Sequence, residues 1–225
     1  MGARVFVWIG GALFVLSLAF CAWSYVVVMG RPAPAAGWTA LAFDASLLTL
    51  FALHHSLCAR EPVKEAIGRL IPASLVRSCY VWIASALFIL VCALWRPIGS
   101  ELYAVRGLPA IALVTVQLVG FWITARGAAR INPLELAGIR PPSESDGLQV
   151  TGPYHWVRHP LYLGWLLMVF GAPHMTGDRL AFAAITTGYL MVAIPWEERS
   201  LRRSFGENYA RYMRAVKWRM IPFIY

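Results

Sequence analysis

Charge is what this sequence has least of. Only 14% of its 225 residues are Asp, Glu, Lys or Arg, against roughly 25% in a soluble domain, so the chain cannot clothe a water-exposed surface of ordinary size. Acids are scarcer still, 11 against 20 Lys and Arg. Cysteine is sparse, at 21, 58, 79 and 92 with no C-x-x-C pair, which argues against a disulfide framework or a thiolate zinc site; these thiols are expected to behave as small buried hydrophobes. No G-x-G-x-x-G follows a strand pattern and no Walker A sequence occurs, so a soluble dinucleotide or P-loop site is excluded. There is no low-complexity linker and no short-period repeat.

What is abundant is apolar sequence, 59% of the chain. A hydrocarbon core about 30 Å thick needs about 20 apolar residues per helix. Runs of this kind are Val5–Met29, Trp38–Ala59, Cys79–Trp95 and Pro109–Ala125, followed by Leu161–Thr176 and Leu180–Trp196 around a Gly177-Asp178-Arg179 turn. The expected fold is an all-α polytopic membrane bundle of five or six transmembrane helices, the fifth being shortest. Residues 1–225 form a single domain, with a four-helix part to residue 125 and a site-bearing part from 126. Val5–Met29 exceeds the h-region of a signal peptide, and no small-x-small cleavage site precedes charged mature sequence, so it is expected to be retained.

With six spans, sixteen of the twenty Lys and Arg fall on one side, leaving Arg31, Arg96, Arg106 and Arg179 on the other. The positive-inside rule then places both termini in the cytoplasm and the protein in the inner (cell) membrane of a bacterium. Because the basic residues are spread over membrane-flanking loops, no nucleic-acid partner is expected. The longest non-membrane stretch, 126–160, includes Pro141-Pro142 and the polar run Ser143-Glu144-Ser145-Asp146. Connections of that length are usually functional or disordered. After Glu197-Glu198, the residues Leu201, Phe205, Tyr209, Tyr212, Met213 and Val216 recur at helical spacing among Arg202, Arg203, Arg211, Arg214 and Lys217. This is a basic amphipathic helix suited to the membrane surface and its lipids.

Ionisable groups within apolar runs are costly and point to function. Asp44 and His55 are eleven residues apart and share one helix face; with Ser56 they form a polar line that either meets a substrate or fixes helix packing. His54 and His55 diverge on a helix, so no metal is expected, and the histidines do not pair at two depths as a membrane haem would require. His159 and Tyr162, at i and i+3, start the fifth helix at Pro160 beside Arg158. The helix-start N–H groups there suit a carboxylate or phosphate, although Tyr154, Trp156 and Tyr162 also suit an interfacial aromatic belt. Glu197 and Glu198 lie near the other end of this hairpin. They read either as ligands for the amine and hydroxyls of a polar cofactor or as solvated helix-end carboxylates paired with Arg199, Arg202 or Arg203.

Two motifs resemble a known family. Gly152, Tyr154, Arg158, His159, Pro160, Tyr162 and Gly164, with Glu197, Glu198, Leu201, Phe205, Gly206, Tyr209 and Tyr212, resemble the isoprenylcysteine carboxyl methyltransferases. That resemblance implies S-adenosyl-L-methionine as cofactor, lined by Tyr154, His159, Pro160, Leu161, Tyr162 and Glu197, with backbone contacts from Leu148, Gln149 and Val150. Four residues before Glu197, where those enzymes carry a substrate-contacting arginine, this chain has Ala193, which puts a prenylcysteine acceptor in doubt. Asp44, the run 50–56, Ala59-Arg60, Arg77 to Tyr80 and Trp95-Arg96-Pro97 resemble bacterial methanethiol S-methyltransferases and NnrU-like membrane proteins. So do Ile131-Asn132, Leu136, Gly138 and Arg140, together with Met175-Thr176 and Ala183 to Tyr189.

The resulting expectation is a membrane methyltransferase acting on a small or lipophilic acceptor, foremost a thiol. His55 and Arg158 are its catalytic candidates, and Asp44 and His55 its substrate contacts. Three alternatives stay open: an isoprenylcysteine or lipid O- or N-methyltransferase, a sterol-type NADPH-dependent reductase, and a non-catalytic accessory protein.

Overall fold

The computed structural model describes residues 2–34, 36–58, 60–140 and 147–225; the run Ser143-Glu144-Ser145-Asp146 and Ala59 lie outside the described residues. Eight helices are seen among them, and five are long and apolar enough to cross a membrane. The protein is an all-α polytopic bundle apart from one two-stranded ribbon. It resolves into two compact units.

The first unit comprises Met1–Ser100, Pro133–Pro142 and Thr176–Asp178. It contains α1 (Gly2–Trp23), which continues into a π-helical turn (Ser24–Val28), α2 (Trp38–Cys58), α3 (Glu61–Gly68), α4 (Ala73–Ala93) and the single turn α6 (Pro133–Leu136). In lipid, helices associate through close packing of small residues rather than hydrophobic exclusion. Accordingly, α1 buries Gly10, Gly11, Ser17 and Cys21, and α4 buries Ser78, Ser85 and Cys92 at seven-residue spacing. A Cβ on Gly10 would stand 2.7 Å from the indole nitrogen of Trp82, whose N–H donates to the Phe6 carbonyl at 3.1 Å.

The second unit comprises Glu101–Asn132, Ser143–Met175 and Arg179–Tyr225. Its helices are α5 (Leu108–Ala128), α7 (Pro160–Phe170) and, from Arg179 on, α8 (Gly177–Ala215), with a 3₁₀ turn at Gly152–His155. Glycines bring α5 and α7 into backbone contact. A Cβ on Gly120 would lie 2.7 Å from the Gly164 carbonyl, one on Gly164 would collide with Thr124 Oγ1, and Leu161 packs over Gly127. This contact sets the position of His159, which caps the start of α7.

The fifth expected span, Leu161–Thr176, is corrected. The helix ends at Phe170 after 11 residues, a rise of only about 16 Å at 1.5 Å per residue. Pro173 cannot donate a helical hydrogen bond, and His174–Thr176 (β2) instead forms a ribbon with Glu101–Ala104 (β1). The expected Gly177-Asp178-Arg179 turn is the first turn of α8. That helix contains Pro195 and is broken at Gly206, whose φ of 52° and ψ of −126° are non-helical. Beyond the break, Tyr209, Tyr212 and Val216 are buried against Tyr154, with Leu201, Phe205 and Met213 alongside. The apolar face of the C-terminal amphipathic segment is therefore covered by protein, while Arg202, Arg203, Arg211 and Arg214 stay exposed.

Candidate active site

The side chains that the sequence singled out around Pro160 converge with the end of the apolar part of α8. His159 is buried, and the two consecutive glutamates of α8 approach opposite ring nitrogens: Glu197 Oε2 lies 3.5 Å from Nδ1 and Glu198 Oε1 lies 3.5 Å from Nε2. The Tyr162 ring stacks on His159 at 5.3 Å and 9°, as their i, i+3 spacing allows, and its hydroxyl donates to Glu197 Oε2 at 2.8 Å.

The two glutamates have different surroundings. Glu198 is buried and neutralised: Arg158 Nε donates to Oε1 at 2.7 Å, and Arg219 Nε donates to Oε2 at 3.2 Å. Glu197 keeps 44% of its side chain exposed. Burial alone would lower the pKa of His159, but the two carboxylates outweigh it and hold the imidazole above its ordinary value of 6.5. The raised value favours the protonated ring, in which both nitrogens are donors. Burial pushes the Tyr154 phenol up, and the Glu197 charge adds to this.

Arg158 is also held by the tail, donating from Nη1 to the carbonyls of Val216 and Lys217 at 2.7 and 2.8 Å. The helix-start donors expected to meet an anion are partly taken: the N–H groups of Arg158 and His159 donate to the carbonyls of Trp218 and Arg219. Tyr212 ties this layer to the 3₁₀ turn by donating to the Tyr154 carbonyl at 2.6 Å. Two buried phenol oxygens here, Tyr154 Oη and Tyr209 Oη, meet no hydrogen-bond partner within normal geometry among the described residues. Such atoms are rare in native interiors and call for an explanation.

Of the other expected site residues, Leu148 packs beside the Tyr154 cluster, Gln149 is half-buried and Val150 exposed. Pro160 is buried at the first helical position. Asp44 and His55 belong to the first unit and differ in environment. Asp44 is fully buried and accepts from the backbone N–H of Arg96 at 3.0 Å. His55 is exposed, with the Tyr80 hydroxyl 2.7 Å from Nδ1. Asp178, which the sequence reading passed over, organises the same unit: it accepts from Trp95 Nε1, Ile98 N and Gly99 N at 2.7–3.0 Å.

Sequence reasoning also missed Arg219 and the pairing of Arg158 with Glu198. The only trace of that pairing was two adjacent acids near the C-terminal end of an apolar run, where carboxylates are disfavoured unless a cation meets them.

Apolar helices that bring a half-exposed carboxylate and two buried phenols together at one helix end give a membrane protein with a polar site. Residues 111–208 match the phospholipid methyltransferase family. The chain is 39% identical over 195 residues to a methanethiol S-methyltransferase of Crocosphaera subtropica, covering 83% of this chain and 76% of that protein. It is 36% identical over 180 residues to one from Mycobacterium tuberculosis, covering 76% and 73%. A protein-S-isoprenylcysteine O-methyltransferase of Xenopus laevis is 35% identical over 85 residues, covering 36% and 29%. No solved structure matches significantly. The chain belongs to the methanethiol S-methyltransferase family of membrane methyltransferases. The family implies S-adenosylmethionine as the methyl donor.

Proposed function

We propose that the protein transfers the methyl group of S-adenosylmethionine to a small thiol, methanethiol foremost, giving dimethyl sulfide. The observation that carries this reading is the half-exposed Glu197 carboxylate beside His159 and two buried phenols without hydrogen-bond partners among the described residues. Their chemistry fits the cofactor: a carboxylate accepts from an ammonium or ribose hydroxyls, and phenol and imidazole N–H or O–H groups donate to a carboxylate or to ring nitrogens. When bound, the cofactor supplies an electrophilic methyl group on a sulfonium.

The residues that would hold it are Tyr154, His159, Tyr162 and Glu197, with Pro160 and Leu161 shaping the wall and Leu148, Gln149 and Val150 offering backbone groups. Their work is alignment and exclusion of water, because an in-line displacement needs no covalent enzyme intermediate. Arg158, buried against Glu198 and the tail carbonyls, acts as a positioning residue. The acceptor reacts as its thiolate. His55, exposed and fixed by Tyr80, is the candidate to take or orient the thiol proton, and Asp44 fixes the helix that carries it.

A site facing the cytoplasm of a bacterial inner membrane, where S-adenosylmethionine is available, belongs to the same proposal. Ala193 and the short match to the isoprenylcysteine enzyme disfavour a prenylcysteine acceptor.

Purified protein incubated with S-adenosylmethionine and methanethiol should release dimethyl sulfide into the headspace. Glu197→Gln should abolish cofactor binding measured by calorimetry. Equal turnover of a prenylcysteine, or NADPH binding in place of S-adenosylmethionine, would overturn the reading.

A further inference from the structure

A cleft of about 260 Å³ is lined by Pro195, Glu198, Arg199, Arg202, Met213 and Arg219. Among the described residues its lining includes none of the proposed cofactor contacts. Pro195, Arg199 and Arg202 recur at i, i+4 and i+7 on α8 and so share one helix face; Met213 comes from beyond the Gly206 break and Arg219 from the tail. The lining carries three guanidiniums and one carboxylate. That carboxylate is paired with Arg158, outside the cleft lining, at 2.7 Å and with Arg219 of the lining at 3.2 Å, so Arg199 and Arg202 leave the cleft net positive. Arginine forks are suited to bidentate recognition of phosphate.

The approach to the cleft is apolar. Val192, Trp196 and Arg199 lie at i, i+4 and i+7 on α8; Val192 is 67% and Trp196 53% exposed, and the Arg199 guanidinium sits 4.7 Å over the Trp196 ring. The apolar part of α8 ends at Trp196 and its charges begin at Glu197. The cleft therefore lies where an apolar, tryptophan-flanked helix face gives way to arginines, which is the depth of lipid phosphates in a bilayer.

We propose that this cleft seats the phosphate of an anionic membrane phospholipid, with an acyl chain lying along the Val192–Trp196 face. The inference goes beyond methyl transfer: the lipid is a bound ligand, not the methyl acceptor. Phosphate could also arrive as the free ion, but a free ion has no use for the apolar approach.

The test uses the full chain in detergent and native mass spectrometry, titrating short-chain phosphatidylglycerol, phosphatidylcholine and inorganic phosphate. Phosphatidylglycerol should bind at least tenfold better than phosphatidylcholine. Arg199→Gln/Arg202→Gln should reduce that preference to within twofold, while Arg203→Gln, outside the lining, should keep it. If the double variant does not fold, the exposed Arg202→Gln alone should still lower the preference at least threefold. Equal binding of the two lipids, a preference that survives the Arg199 and Arg202 changes, or displacement of phosphatidylglycerol by equimolar inorganic phosphate would each overturn the proposal.

Discussion

Arg158 and Glu198 meet at 2.7 Å across forty residues of chain, each with only 5% of its side chain exposed. Breaking a buried pair by removing one partner leaves an uncompensated charge and typically costs about 3–5 kcal/mol. Glu198→Ala should therefore lower stability in detergent by about that amount. Glu197→Gln, at a half-exposed carboxylate, should cost under about 1 kcal/mol while removing cofactor binding. Thermal unfolding and calorimetry on the two variants separate the adjacent residues. Equal loss of stability in both would contradict the different roles that the geometry gives them.

His159 links stability to pH. Its folded pKa is raised, since Glu197 and Glu198 outweigh burial, so the native state binds the proton more tightly than the unfolded chain. That contribution is fully present below about pH 6.5, the ordinary imidazole value, and is lost as pH rises through the folded pKa. The melting-temperature gap between wild type and His159→Gln should be widest near pH 6 and narrow as pH increases. A gap that widens with pH would show that the ring is buried neutral.

Much of this could be read from the sequence, for physical reasons. Apolar run length located five long helices, because backbone groups in lipid must be paired within the helix. The i, i+3 spacing of His159 and Tyr162 put their rings together. The seventh helix was overread: Leu161–Thr176 is apolar enough to span, yet hydropathy is blind to Pro173 and to the strand pairing that His174–Thr176 makes with Glu101–Ala104. Arg219 was invisible because its place depends on the tail folding back, with Trp218 and Arg219 carbonyls accepting from residues about sixty positions earlier. No local periodicity encodes such a contact. Asp44 and His55 share a face by spacing, but spacing alone could not tell that one is fully buried and the other exposed.

Close approach of α5 and α7 depends on having no side chain at Gly164, where a Cβ would collide with Thr124 Oγ1 and lie 2.6 Å from the Gly120 carbonyl. Gly164→Ala should force the helices apart, costing about 1–3 kcal/mol as overpacking does, and should weaken cofactor binding by displacing His159. Gly188→Ala provides the contrast: nothing lies within 4 Å of its added Cβ, and its helical site should gain up to about 1 kcal/mol. Melting curves of the two variants moving in opposite directions is the expected result.

The tail should matter to cofactor binding without contributing a cofactor contact. Met220 is fully buried against Ile123, Val157, Leu163 and Ile194, and the neighbouring carbonyls of Trp218 and Arg219 take the N–H groups of Arg158 and His159. Met220→Ala should cost about 2–5 kcal/mol, as buried Met→Ala changes do. Removal of residues 218–225 should go further, because it strips Arg219 from Glu198 and exposes backbone donors at the entry to α7. His159 would then lose its fixed position between the two glutamates, and S-adenosylmethionine binding should fall at least tenfold in both variants at temperatures where Met220→Ala is still folded. If truncated protein bound the cofactor with wild-type affinity, the placement of His159 could not depend on the tail.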